Sequence, residues 1–278
     1  MDRAHQLAEF LRAHRQRLSP DQVGIHSVGP RRVPGLRREE LAQLAGVSAD
    51  YLMRLEQGRG HRPSAHVLEA LARALRLDED ATAYLFELGR PGDPLGHPHS
   101  TAPEIVQPEL QDLLDAWITT PAFVHGRRLD VLASNALARA LTPLAEPGTN
   151  LLRSWFLDLE DRKRYADVEH VLTLAVAYFR ATVAGHLDEP DVKGLIDELC
   201  HNSPDFRRVW ARHDVRAALI GEGPLYYHPI VGPLHLRFQT FTVDSTDRQA
   251  LFVMSPAPGS PDVQALARLA SMIAEAAG

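Results

Sequence analysis

The sequence predicts two units of different class. The first is an all-α N-terminal domain of five helices, and the second an α+β domain with an antiparallel sheet covered by helices. Three observations predict this. Up to residue 90, apolar residues recur at helical spacing between Gly and Pro breaks. Residues 91–103, PGDPLGHPHSTAP, contain four prolines and two glycines and little to bury, the composition of a linker. From residue 104, strand-like runs flank a helical block, an α+β pattern. The expected boundaries are therefore 1–90, 91–103 and 104–278.

In chain order, residues 2–17 form a first helix with Leu7, Phe10, Leu11 and Leu18 inward and Arg3, Arg12 and Arg15 outward; Pro20 ends it. Residues 21–34 are loop-like, with Gly24, Gly29, Pro30 and Pro34. The stretch from Gly35 to Pro63, GLRREELAQLAGVSADYLMRLEQGRGHRP, reads as two short helices joined by a tight turn. Leu36, Leu41 and Leu44 supply the first apolar stripe, and Glu39 and Glu40 lie in the opening turn, where acids suit the helix dipole. Gly46 falls where a left-handed residue ends a helix. Ser48 offers the next N-cap oxygen, Leu52 and Leu55 point to the core, and Gly58 closes the second helix. Two further helices follow, capped by Ser64 and Asp78, with Val67, Leu68, Leu71 and Leu75, then Tyr84, Leu85 and Leu88, inward; Gly89 terminates the last.

Two short helices around a Gly turn form a helix-turn-helix, whose second helix is shaped for the DNA major groove. Its outward residues at the start are Ala49, Asp50, Tyr51 and Arg54, and Arg54 is the one able to bond guanine with two nitrogens. Phosphate-type donors surround it: Arg31, Arg32, Arg37 and Arg38 before, Arg59, His61 and Arg62 after, with Ser48 at the helix N-terminus. A helical hairpin with a merely solvated basic face is the rival reading. The coincidence of turn, cap and flanking arginines favours double-stranded DNA.

The pattern LAQLAGVS, a helix ending in RLEQG, a basic loop and RPS closely resembles the helix-turn-helix of the Xre/Cro class of bacterial regulators. The resemblance implies that Ala49, Asp50, Tyr51 and Arg54 face bases and that Arg38, Arg59, His61 and Arg62 contact the DNA backbone. Ala49 departs from the polar residue many members carry there, and suits a thymine methyl.

Composition is that of an ordinary soluble protein: 278 residues, 45% hydrophobic and 24% charged. No apolar run reaches the roughly 18 residues of a membrane span, and the N-terminus lacks the apolar core of a secretory signal, so a cytoplasmic location is expected. The net charge of −6 is divided unevenly. Residues 1–76 hold 13 Arg, no Lys and 8 Asp plus Glu, a net +5 that leaves −11 on the remaining 202. That places the nucleic-acid surface at the N-terminus. Cys200 is the single cysteine, which excludes an intramolecular disulfide and Cys-based zinc sites; in an apolar helix it is expected to be buried and inert.

In the second unit, Leu110, Leu113, Leu114 and Trp117 mark a short helix. AFVHG and LDVLAS, separated by Arg127 and Arg128, read as a hairpin. Asn135 starts a helix with Leu137 and Leu141, and Asn150 caps LLRSWF. Residues from Tyr165 to Val183 carry the longest amphipathic helix expected in the chain; Leu195, Ile196 and Leu199, then Phe206, Val209 and Trp210, mark two more. Val215–Gly221, Leu225–Val231, Leu234–Val243 and Ala250–Ser255 are strand-like, with a bulge expected where LHLRFQTFTV changes face near Phe241. A final helix uses Val263, Leu266, Leu269, Ala270 and Ile273. With the helices in one excursion, they are expected to cover one face of a single sheet, the arrangement of a PAS-like sensor domain.

RRVPGLRREELAQLAGVS and RPSAHVLEALARALRL stand in the first unit, and LDVLASNALARAL, NLLRSWF, RYADVEH, SPDFRRVWARHDV, HPIVGPLHLRF and PGSP in the second. By these stretches the whole chain resembles the MmyB-like transcription regulators. The resemblance implies an Xre-type DNA-binding domain joined to a PAS-like ligand-binding domain, with fatty-acid-type ligands for some members. Val168 stands where an aromatic Trp is usual, which reshapes any pocket. The candidate pocket residues are Trp155, Phe156, Leu172, Tyr178 and Phe179 from the helices and Tyr227, Leu236, Phe238 and Phe252 from the strands, with His213 and His228 as anchors for an acyl carboxylate. Ordinary core packing is the rival reading for each.

No zinc helix, nucleophile elbow, phosphate loop or dinucleotide fingerprint is present, so no catalytic residues, metal or cofactor are expected. A single recognition helix reads few base pairs, so a homodimer on a pseudo-palindrome is expected. The alternative to a ligand sensor is a helix-turn-helix regulator whose second domain docks a protein partner, of the antitoxin or anti-repressor type.

Overall fold

The computed structural model describes residues 3–25, 35–59, 62–90, 104–158, 160–244, 246 and 249–277. Arg31, Arg32, His61 and the expected linker 91–103, with its His97 and His99, lie outside them.

The N-terminal region folds as α1 (Arg3–Arg17), α2 (Arg38–Ala45), α3 (Ala49–Glu56), α4 (Ala65–Ala74) and α5 (Glu79–Gly89). Its core joins Leu7, Phe10, Leu11, Leu36, Leu41, Leu52, Leu55, Leu68, Leu71 and Leu85, all buried. Local chemistry sets the ends: Ser48, Ser64 and Asp78 accept from the backbone N–H of Tyr51, Val67 and Ala81. Gly46 takes a φ of 65° and donates back into the last turn of α2. Gly35 is required for a different reason. A Cβ there would lie 2.2 Å from the Gln16 carbonyl oxygen, so only glycine lets the chain entering α2 press against α1. Two expectations fail. Leu44 is 40% exposed, because the short α2 turns that side away from the core. Arg15 points inward, because Glu56 is buried on α3 and draws it in.

The C-terminal part runs α6 (Pro108–Ala116), β1 (Ala122–His125), β2 (Val131–Ser134), α7 (Ala136–Leu141), α8 (Leu151–Phe156), α9 (Val168–Thr182), α10 (Pro190–Asn202) and α11 (Pro204–Trp210). It continues with β3 (Gly221–Glu222), β4 (Tyr226–His228), β5 (Gly232–Leu234), β6 (Leu236–Thr242), β7 (Ala250–Pro256) and α12 (Pro261–Ala277). One antiparallel sheet has the order β2-β1-β7-β6-β3. Asn135 and Asn150 cap α7 and α8 as their sequence context predicts. At 17 residues α12 is longer than the 15-residue α9, so the expected longest helix is not the longest.

The sheet departs from expectation in four ways. It is not single, since β4 and β5 form a separate two-stranded sheet. Of Val215–Gly221 only Gly221 pairs, because the preceding residues run out to meet Asp80 on α5 through the Ala217 N–H. No bulge interrupts β6: its register with β7 is unbroken from Leu236 to Thr242, and Phe241 simply faces outward, 51% exposed. The irregularity lies instead between Val124 and His125 in β1. Finally, both faces are covered at one end. Leu114 of α6 packs with Ala122, Val124, Ala133, Leu251 and Val253 on the face opposite α9. That double cover explains why β1 and most of β7 are continuously buried, while β6 beyond Leu236 is half-buried or exposed.

Candidate functional site

The turn between α2 and α3 holds α3 outward on a charged foundation. Glu56, 1% exposed, accepts from Arg15 Nε at 2.6 Å and Arg15 Nη2 at 3.1 Å, and from Arg38 Nε at 2.9 Å. Arg12 donates to the Glu56 carbonyl at 2.7 Å. One carboxylate thus ties the recognition helix to α1 and to the start of α2. Glu56 carried no functional signal in the sequence beyond its place in RLEQG, because its burial depends on how α3 meets α1. Arg38 is consequently part of this tie as well as a candidate backbone contact.

On the opposite side of α3, Asp50 and Arg54 are exposed and paired, Nη2 to Oδ2 at 2.6 Å. The pair is solvated and one turn apart, so it orients Arg54 without committing it. Ala49 and Tyr51 are half-buried against the core. Arg37, Arg59 and Arg62 are exposed, and the Arg37 N–H donates to the Glu40 carboxylate. The Ser48 hydroxyl oxygen is engaged as the cap of α3.

A cavity of about 90 Å³ lies between α9 and the inner face of the sheet. Of the candidate pocket residues it brings together Trp155, Tyr178, Phe238 and Phe252, with Phe123 and Met254 beside them. Leu236 lines a smaller adjoining space of about 30 Å³ that shares Tyr165, Phe238 and Met254. The others are elsewhere. Phe156 packs edge-on to Phe206, Phe179 packs on Trp210, Leu172 is core, and Tyr227 is exposed on the separate β4–β5 hairpin. His228 ends β4 and holds the turn that follows: Nδ1 accepts from the Ile230 and Val231 N–H groups, which leaves Nε2 to donate to the Ala140 carbonyl at 3.0 Å. His213 lies at the contact with α1, not at the cavity.

The histidine that does line the cavity is His125. Its Nδ1–H donates to the Gly126 carbonyl at 2.9 Å, which leaves Nε2 to accept from the Tyr178 hydroxyl at 3.2 Å. Complete burial pushes its pKa down to about 4, the Gly126 contact opposing. Burial pushes the Tyr178 hydroxyl up, with Thr240 pulling the other way. Both are therefore neutral at ordinary pH. The available signal was one polar residue in the otherwise apolar run AFVHG.

Helix α9 joins the two parts. Val171, Leu174, Ala175 and Tyr178 face the cavity. Arg180, two residues on, is completely buried and reaches α1 and α5. Its guanidinium lies 3.7 Å from the Trp210 ring centre, donates to the Trp210 carbonyl, and approaches Gln6 Oε1 and the Tyr84 hydroxyl at 3.5 Å. It also faces His213 Nδ1 at 3.3 Å; burial and the arginine push that imidazole down to about 2. Among the described residues, no carboxylate pairs with Arg180. Arg17 with Asp214 at 2.8 Å and Arg3 with the Gly185 carbonyl at 2.7 Å complete the contact.

A helix-turn-helix with an exposed outer face, joined to a sheet-and-helix unit that lines an apolar cavity, defines a DNA-binding transcription regulator with a ligand-binding domain. The family models agree. Residues 6–85 match a helix-turn-helix domain, and residues 106–269 match the MmyB-like transcription regulator ligand binding domain. The chain belongs to the MmyB-like transcription regulators. A search of curated proteins finds no match to it. Both matched families are regulator domains and neither is an enzyme family. Among the described residues no helix is long and apolar enough to cross a membrane.

Proposed function

We propose that the protein is a cytoplasmic, sequence-specific regulator that binds its operator as a homodimer and releases or grips it in response to a small apolar molecule held between α9 and the sheet. Residues 1–90 form the DNA-binding unit, 91–103 the linker and 104–278 the PAS-like sensor. Arg54, Asp50, Tyr51 and Ala49 read bases; Arg37, Arg38, Ser48, Arg59 and Arg62 hold the backbone, together with Arg31 and His61, which lie outside the described residues.

The observation that carries this reading is α9, which lines the cavity with one stretch and inserts Arg180 between α1 and α5 with the next. A ligand that shifts Tyr178 moves a helix whose next turn is held by the DNA-binding unit. Regulation requires only that the ligand favour one of two arrangements of that contact. At about 90 Å³ the cavity is well below the roughly 300 Å³ at which typical ligand pockets begin, so an acyl chain of any length needs the adjoining space to open.

The test uses the full-length protein. A consensus operator is selected from random DNA, its complex is sized by light scattering, and its affinity is measured before and after organic extraction of the protein. Two protomers per operator and an affinity that changes on extraction, with a small molecule in the extract, are expected. An extracted protein with unchanged affinity, and no molecule released, would reject the ligand control. A protein found bound in its place would favour a protein-docking second domain.

A further inference from the structure

The segment between His213 and Tyr226 contributes to the cavity wall with little structure of its own. Within it only Gly221 and Glu222 pair with a strand, and among residues 214–225 Gly223 alone is buried. Leu219 and Pro224 nevertheless line the cavity, together with Tyr178 of α9 and Phe238 and Phe252 of the sheet. Backbone hydrogen bonds hold the segment down at intervals. The Arg216 N–H donates to the Ala177 carbonyl on α9 at 3.0 Å, and the Gly223 N–H to the Leu236 carbonyl at 2.8 Å. The Leu219 N–H donates to Thr240 Oγ1 at 3.1 Å, and Thr240 is also a partner of the Tyr178 hydroxyl. One contact reaches the other unit: the Ala217 N–H donates at 3.0 Å to Oδ2 of Asp80, in the first turn of α5.

A Cβ at Gly223 would overlap the ring of Phe238 and lie 2.9 Å from the Leu236 carbonyl oxygen. Glycine there lets the segment lie flat on a side chain that itself lines the cavity. A stretch with few buried side chains and separable hydrogen bonds is the part of a fold that opens at least cost. The rest of the wall is built differently. Phe123, Leu151, Ala175, Phe252 and Met254 are buried on helices and paired strands, so moving them disrupts the core.

We infer that residues 215–224 form a strap that closes the cavity, and that Asp80 of the DNA-binding unit is its latch, a positioning residue that sets how readily the strap lifts. Pro224 lines both the cavity and the adjoining space beside Leu236, so the same movement opens one to the other. Lifting the strap breaks a contact to α5, which links ligand entry to the seating of the DNA-binding unit. The inference rests on the cavity being the ligand site.

The experiment follows neutral apolar dyes, beginning with N-phenyl-1-naphthylamine, as they enter and leave the extracted full-length protein in stopped-flow fluorescence. Ala175→Leu, which extends a side chain into the cavity, identifies a dye bound there, whose affinity it should lower about tenfold. Asp80→Ala should let that dye enter and leave roughly fivefold faster. Asp80→Asn, which keeps an oxygen to accept from Ala217, should stay within about twofold of the parent. Gly223→Ala, which lifts the strap from its other end, should accelerate both rates and serves if the Asp80→Ala protein does not fold. Arg3→Gln, which loosens the same two units at Gly185 and Asp188, should leave the rates unchanged. Rates equal to the parent's in both Asp80→Ala and Gly223→Ala would overturn the strap and leave the ligand site standing. Equal acceleration by Arg3→Gln and Asp80→Ala would overturn the latch, since general loosening of the contact would then account for it. If no dye binds in a way that depends on Ala175, the ligand site and the inference fall together.

Discussion

At the scale of single residues, two charged side chains on α3 have opposite duties. Arg54 and its partner Asp50 are 62% and 57% exposed, so their ion pair adds little to stability. Arg54→Ala should leave the melting temperature nearly unchanged. On the selected operator it should cost about 1–3 kcal/mol and relax the preference at one base pair. The same site returned from random DNA with undiminished stringency would remove Arg54 from the reading set. Glu56 is the converse. Its loss leaves Arg15, largely buried, without its carboxylate, so Glu56→Ala should destabilise the fold by about 3–5 kcal/mol in denaturant titrations.

His125 adds a pH dependence. Its folded pKa of about 4 lies below the ordinary 6.5, so the unfolded chain takes up a proton that the folded one resists. Its contribution is complete above about pH 6.5, is lost as the pH falls toward 4, and levels off below, amounting to about 3 kcal/mol. His213, depressed in the same sense, extends the loss further down. Unfolding measured across this window should show a shallower slope for His125→Gln than for the parent. Parallel slopes would mean that His125 is not buried neutral.

At the scale of elements, the recognition helix depends on what holds its approach as well as on its own face. Arg62 is exposed just before α4 and takes no part in the Glu56 tie. It therefore isolates backbone contact from folding, which Arg38 cannot do. Arg62→Ala should weaken all DNA sequences alike and reduce the slope of log affinity against log salt by about one; a loss confined to the operator would contradict that role. Helix α9 touches both the cavity and the N-terminal core. Its apolar face was legible from its spacing. Which of its residues meet a cavity and which meet another unit was not, since Tyr178 and Arg180 are two positions apart on one helix.

At the scale of the whole molecule, the contact around Arg180 is the place where sensing and DNA binding meet. Its buried guanidinium is held by a ring, a carbonyl, two neutral side-chain oxygens and a neutral imidazole, with no carboxylate pairing among the described residues. Such a contact is polar, specific and only moderately strong, which suits an arrangement that has to change. Arg180→Gln should retain operator selection and cavity binding while the ligand-dependent change in operator affinity falls toward zero. Retained control in that variant would place the coupling elsewhere, for instance in the Arg17–Asp214 and Arg3–Gly185 contacts.

The sequence by itself determined what depends on neighbours along the chain. The caps at Ser48, Ser64, Asp78, Asn135 and Asn150, the Gly46 turn, the charge division and the antiparallel β1–β2 pair are local or nearly so, and periodicity and residue chemistry reveal them. Tertiary structure alone decided which polar groups are buried together. Glu56 with Arg15, His125 with Tyr178, and Arg180 with Gln6, Tyr84 and His213 are pairs separated by 33 to 174 positions. Each of these side chains looks solvent-bound or merely structural in its own segment. Only packing of distant elements removes the water and gives it a partner. For the same reason His213 and His228 read as anchors in sequence and prove to serve a contact and a turn, while the cavity's histidine sat unnoticed in a strand. A strand covered on both faces shows no alternation to mark which way one residue points.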